Sequence, residues 1–142
     1  MASRASLCRT IFIDRDGVIN RDSADYIQTP AQFQFIPGSL EALVDLHQAG
    51  CPIIVITNQS GVGRGLIQPD DLNAIHEKMR QAVHAAGGRF MDILHCPHHP
   101  DDHCSCRKPR PGMVQTAARR HGVDLARAVM VGDSARDIEC GQ

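Results

Sequence analysis

The chain has 142 residues, a net charge of −1, and 42% hydrophobic against 22% charged residues. That length supports one packed core, so residues 1–142 are expected to form a single domain. The near-neutral charge argues against a nucleic-acid or membrane surface built on bulk electrostatics, and no apolar run approaches the roughly 18–20 residues of a membrane span.

Residues Met1–Ser6 lack the apolar core of a secretory signal, because Ile11-Phe12-Ile13 is short and is followed at once by Asp14. The expected compartment is the cytoplasm. Thr10–Ile13 reads as a buried strand ending at Asp14, and residues 15–38 read as loop, punctuated by Pro30, Pro37 and Gly38. Ser39 is placed as the N-cap of a helix through about Gln48, with Leu40, Leu43 and Val44 on one face and Gly50 as its stop. Cys51–Thr57 is a β-branched apolar strand, and Asn58–Gly65 a glycine-rich loop. Pro69 and Asp70 open a long helix whose apolar stripe is Leu72, Ile75, Met79, Val83 and Ala86. A third strand is expected at Phe90–Leu94, irregular chain over 95–111, a helix over Gly112–His121, and a fourth strand at Ala128–Val131. The last residues begin another helix. Alternating strands and helices imply an α/β fold with a mainly parallel sheet and ligands at the carboxyl ends of the strands.

The conspicuous polar residues sit at those ends. Asp14 and Asp16 follow the first strand, Thr57 and Asn58 close the second, and Asp133 follows the fourth. Phosphoryl transfer needs a nucleophile in line with phosphorus and a group to protonate the leaving oxygen. Two carboxylates separated by one residue supply both if a tight turn aims them together, and Gly17-Val18 suits such a turn. Taken alone, an Asp-x-Asp pair is as often a solvated turn. Thr57 and Asn58 offer a hydroxyl and backbone N–H groups to phosphate oxygens, and Lys108 offers charge to the transferring group. Asp14, Asp133 and a backbone carbonyl near Asp16 form a plausible Mg²⁺ set of hard oxygens.

A second cluster lies between His95 and Cys106. Cys96, Cys104 and Cys106, with His98, His99 and His103 among them, supply more than the four S/N ligands of a structural zinc site. The sequence pattern leaves open which histidine is the fourth ligand. Cys8, Cys51 and Cys140 read as ordinary small residues.

With these motifs in place, the chain resembles the haloacid dehalogenase (HAD) superfamily of phosphatases. Asp14-x-Asp16-Gly17, Thr57 after a strand, Lys108, and Gly132-Asp133 with Asp137 follow one another in the family's order across almost the whole chain. The resemblance implies a Rossmann-like fold with helices on both faces of the sheet. It implies Asp14 as nucleophile, Asp16 as general acid and then base, Thr57 and Lys108 on the phosphoryl group, and Mg²⁺ held at Asp14, Asp16 and Asp133. In the branch that the metal-loop stretch resembles, the first histidine after Cys-Pro is the ligand. That gives Cys96, His98, Cys104 and Cys106 as a closed, structural Zn²⁺ site whose loop delivers Arg107-Lys108.

The stretches Asp14–Asn20, Thr57–Gly65 and Arg107–Met113 resemble heptose-bisphosphate phosphatases of lipopolysaccharide-core precursor synthesis. The short loop from His98 to Cys104 also resembles the histidinol-phosphate phosphatases. By the heptose resemblance, Asp14, Arg15 and Asp16 contact the scissile phosphate, Thr57, Asn58, Gln59 and Ser60 form its pocket, Asp22 and Tyr26 lie where a substrate loop begins, and Arg107 meets a second phosphate or the sugar. The implied partner is a small phosphorylated sugar, with no nucleic acid or membrane, and the chain is expected to act as a monomer. A non-catalytic zinc-stapled binding module on the same scaffold is the reading from another class. The family pattern continues past Gln142 with a strand and often a helix, so the chain is expected to be C-terminally incomplete.

Overall fold

The computed structural model describes residues 9–132. Four strands, β1 (Ile11–Ile13), β2 (Ile53–Asn58), β3 (Asp92–Cys96) and β4 (Val129–Val131), form one sheet in the order β3-β2-β1-β4. Every pairing is parallel, and Phe12 is flanked by Ile54 on one side and Met130 on the other. A parallel sheet is covered on both faces, so its inner strands must be apolar at every position. Ile53, Ile54, Val55 and Ile56 meet that requirement with no exposed surface.

Helices α1 (Ser39–Gln48) and α3 (Pro69–Ala85) belong to one side, and α4 (Gly112–His121) to the other; α2 (Ser60–Gly63) is one short turn after β2. Ile13, Ile53 and Val55 join Leu43 of α1 and Ile75, Met79 and Val83 of α3 in one core. Phe12, Ile54 and Ile56 pack with Met113, Val114 and Ala117 of α4 in the other. The expected α/β architecture with helices on both faces is therefore present. No helix among the described residues is long and apolar enough to cross a membrane.

Several boundaries differ from the sequence expectations. Gly38, at φ 89°, occupies the N-cap of α1, and Ser39 is its first residue. The Ser39 hydroxyl instead donates to the carbonyls of Ile19 and Ile36, tying the helix to the loop after β1. Helix α3 stops at Ala85, which leaves Ala86 exposed and outside the apolar stripe. Strand β3 begins at Asp92 because its register with β2 starts at Ile54, and it runs on to pair Thr57 with His95 and Asn58 with Cys96. Two residues expected in loop are thereby fixed in the sheet. Short 3-10 turns at Pro30–Gln32, Pro100–Asp102 and Leu125–Arg127 punctuate the loops. Asp133, Asp137 and the helix expected after β4 lie outside the described residues.

Candidate active site

Asp14 stands one residue beyond β1, nearly buried, where its backbone N–H continues the sheet by donating to the Val131 carbonyl. Its Oδ1 accepts from the Arg15 backbone N–H at 2.8 Å and lies 3.0 Å from Lys108 Nζ. Gly17 follows at φ 84°, a conformation that glycine adopts without strain, and it reverses the chain. The turn closes with Gly17 N–H on the Asn20 carbonyl and Ile19 N–H on the Arg15 carbonyl. This turn brings the Asp16 carboxylate back beside the end of the sheet.

Asp16 is held by four donors. Its Oδ1 accepts from Arg15 Nε at 3.0 Å, Arg15 Nη2 at 2.7 Å and Asn20 Nδ2 at 2.9 Å. Its Oδ2 accepts from Gln59 Nε2 at 2.9 Å, and the same amide donates to Thr57 Oγ1 at 2.9 Å. The structure therefore joins Asp16, Gln59 and Thr57, and joins Asp14 with Lys108.

Arg15 was expected at the scissile phosphate with Asp14 and Asp16, and its side chain has no exposed surface. The guanidinium turns inward to Asp16, and its Nη1 donates to His76 Nε2 of α3 at 3.1 Å. Asn58 is also committed to the protein: its side chain accepts from the Lys108 backbone N–H at 2.9 Å and donates to the Lys108 carbonyl at 3.2 Å. Those two bonds fix the backbone that carries the lysine. Gln59 is buried against Asp16 and Thr57, while Ser60 meets the Tyr26 hydroxyl at 3.3 Å. Tyr26 reaches Ser60 from a left-handed backbone at φ 65°, which is uncommon for a bulky residue. Asp22 is exposed, and its Oδ1 accepts from the Ser23 N–H.

Sequence reasoning missed Asn20 and His76. Both are buried polar groups facing Asp16 directly or through Arg15. His76 is four residues from Leu72 and three from Met79, on the apolar face of α3, where a histidine normally reads as core. Burial, and then the adjoining Arg15 charge, lower its pKa from 6.5 to about 3. It is therefore neutral, and because guanidinium nitrogens only donate, Nε2 accepts and the proton sits on Nδ1.

The cysteine-histidine loop comes together beside this site. One ligand atom from each of Cys96, His98, Cys104 and Cys106 lies within 4.8 Å of the others, an arrangement that could hold one metal ion. Cys96 Sγ is 2.9 Å from Cys106 Sγ and 3.5 Å from Cys104 Sγ, and His98 Nδ1 is 3.2 Å from Cys106 Sγ. These separations exceed the roughly 2.05 Å of a disulfide, so the thiols are close but not bonded to one another. Burial, with the neighbouring Cys106 thiol next, pushes the Cys96 thiol up. At Cys104 burial also opposes ionisation, but the Arg107 backbone N–H and the Cys96 and Cys106 thiols draw it down to about 6. His99 and His103 stand apart: His99 Nδ1 accepts from Asp101 N–H, and His103 occupies a left-handed turn. His95, expected in loop, lies on β3 with its ring 6.0 Å from that of His76.

Helix α2 braces the loop. Gly63 N–H donates to the Pro97 carbonyl at 2.7 Å, and a Cβ at Gly63 would sit 2.5 Å from the His99 nitrogen. A glycine is needed where two backbones approach this closely.

Residues 8–142 match the model of the haloacid dehalogenase-like hydrolase family. The D-glycero-beta-D-manno-heptose-1,7-bisphosphate 7-phosphatase of Bordetella bronchiseptica is 49% identical over 131 residues, covering 92% of this chain and 73% of that protein. The D-glycero-alpha-D-manno-heptose-1,7-bisphosphate 7-phosphatase of Mycobacterium bovis is 40% identical over 141 residues, covering 98% of this chain and 74% of that protein. The crystal structure of D,D-heptose 1,7-bisphosphate phosphatase from B. bronchiseptica, complexed with magnesium and phosphate, superposes with a TM-score of 0.88 at 48% identity. It covers 93% of this chain, which spans 74% of it. The chain belongs to the haloacid dehalogenase-like hydrolase family.

Proposed function

We propose that the protein is a Mg²⁺-dependent phosphatase that removes the C7 phosphate of a D-glycero-D-manno-heptose 1,7-bisphosphate through an aspartyl-phosphate. The observation that carries the reading is the pairing of Asp14 with Lys108 beside a four-donor clamp on Asp16. The heptose-bisphosphate phosphatases at up to 49% identity support the substrate.

In this mechanism an Asp14 oxygen attacks phosphorus. The bond from phosphorus to the sugar oxygen breaks, its electron pair leaves with that oxygen, and Asp16 supplies the proton. Asp16 then accepts a proton from water as the water oxygen attacks phosphorus, and the bond to Asp14 breaks to restore the carboxylate. Lys108 opposes the negative charge gathered between Asp14 and the phosphoryl oxygens. Thr57, held by Gln59, offers its hydroxyl to the phosphate. The hard carboxylate oxygens of Asp14 and Asp133 and the Asp16 carbonyl suit Mg²⁺, which when bound neutralises the charge of nucleophile and phosphate.

Arg107 suits the second phosphate. Its Nη1 is buried without a hydrogen-bond partner among the described residues, and a phosphate oxygen would satisfy it. Tyr26 and Ser60, whose hydroxyls meet at 3.3 Å, and Asp22 are further candidates for contact with the sugar. The donors Cys96, His98, Cys104 and Cys106 suit a tetrahedral Zn²⁺ with no vacancy for water, hence a structural ion. Zinc would fix the loop that presents Arg107 and Lys108.

The short loop between His98 and Cys104 favours histidinol phosphate as the second reading. Phosphate release from the two anomers of heptose 1,7-bisphosphate and from histidinol phosphate tests both. Preference for either heptose anomer supports the proposal. Preference for histidinol phosphate replaces it with the second reading, and release from none of them would indicate a binding module.

A further inference from the structure

Arg15 is a cation with no exposed surface. A buried charge needs hydrogen-bond partners, because a buried donor that loses one forfeits its hydration without return. Three of its five N–H groups have partners: one on Nε and one on Nη2 donate to Asp16 Oδ1, and one on Nη1 donates to His76 Nε2. The imidazole belongs to α3, whose Ile75 and Met79 are fixed in the core beneath the sheet. His76 thus connects the rigid body of the protein to a side chain that clamps the carboxylate.

The clamp is directional. Oδ1 of Asp16 takes both Arg15 contacts and the Asn20 amide, whereas Oδ2 takes only Gln59 among the hydrogen bonds of the described residues. Crowding of Oδ1 orients the carboxylate and leaves Oδ2 as the oxygen that exchanges a proton with the substrate. We infer that His76 is a positioning residue: acting through the Arg15 guanidinium, it sets the orientation in which Asp16 Oδ2 meets the leaving oxygen. The inference rests on the proposed acid role of Asp16 and extends it to a residue that touches neither substrate nor metal. His76 serves as a neutral acceptor, consistent with its pKa near 3 beside Arg15, Asp16, His95 and Arg80.

The test is leaving-group dependence in the Mg²⁺-loaded full chain. General-acid assistance matters for a poor leaving group such as a primary sugar alkoxide and little for 4-nitrophenolate. kcat/KM is measured for the heptose bisphosphate and for 4-nitrophenyl phosphate in the wild type, His76→Leu, His76→Gln and Asp16→Asn. Leucine removes the acceptor, while glutamine can present its amide oxygen to Nη1. His76→Leu should lower kcat/KM for the sugar phosphate about tenfold more than for the aryl ester, a fraction of the 10²–10⁴ that a general acid contributes. His76→Gln should recover most of that loss. The ratio of the two substrates is independent of the folded fraction, so partial unfolding cannot mimic the result.

Equal losses on both substrates in His76→Leu, with selective loss in Asp16→Asn, would overturn the positioning role while leaving Asp16 as the acid. Equal losses in Asp16→Asn would remove the acid role and the inference with it.

Discussion

Asp14 and Asp16 are the same residue type one position apart, yet their surroundings differ sharply. Asp14 meets a lysine and a backbone N–H, while Asp16 meets an arginine fork and two amides. This asymmetry suits a nucleophile beside an acid/base group. Asp14→Asn should lower phosphate release by about 10³-fold or more, because the amide is a poor nucleophile, with circular dichroism unchanged. Turnover near the wild-type rate would rule out Asp14 as the nucleophile. His76 gives a separate prediction on stability. Its pKa is near 3 when folded and 6.5 in a solvated chain, owing to burial and then to Arg15. Between those values the unfolded chain binds a proton that the folded protein refuses, so stability falls as pH drops through this window. The slope from this one group reaches about 1.4 kcal/mol per pH unit. Urea unfolding at pH 7 and pH 5 should show that slope in the wild type and lose that component in His76→Gln, in which His95 still titrates.

At the scale of elements, β3 and the loop after it form one delivery device. Cys96 ends β3 paired with Asn58, the Asn58 side chain grips the Lys108 backbone, and Gly63 of α2 lies against Pro97 and His99. The loop is anchored at both ends, and the group of Cys96, His98, Cys104 and Cys106, which could hold a metal ion, closes its middle. Removing the metal by chelation should raise amide exchange between Cys96 and Lys108 and reduce turnover even with Mg²⁺ in excess. Full activity in metal-stripped protein, checked by elemental analysis, would uncouple the cluster from Lys108. The strand-end positions of Asp14 and Thr57 were legible from apolar runs that stop at polar residues. The extension of β3 to His95 and Cys96 was not, because its length is set by the register with β2 and those residues carry no strand preference strong enough to announce it.

At the scale of the molecule, the central strands β1 and β2 are buried on both faces and divide two cores. Ile53 belongs to the core with α1 and α3, Ile54 to the core with α4, and neither has exposed surface. Ile53→Ala and Ile54→Ala should each cost about 2–5 kcal/mol, measured by chemical denaturation, since each empties volume in a different core. A loss confined to one variant would mean that one face is not closely packed. Asp92 links the start of β3 to the end of α4 by accepting from Arg120 and His121, both at 2.8 Å. The same sheet therefore supports the site at its carboxyl end and ties its covering helix at the other.

The sequence by itself determined the alternation of elements, the Asp14-x-Asp16 turn, the placing of Thr57 and Lys108 in family order, and the grouping of thiols after β3. Those features are local: burial periodicity, turn chemistry and short ligand spacings are written in adjacent residues. Only the tertiary structure decided that Arg15 turns inward, that Asn58 serves the Lys108 backbone, and that His76 stands behind Asp16 through that arginine. A buried arginine must find acceptors wherever the fold supplies them, and for Asp16 that places part of the site on α3, far along the chain from the motif that announces it.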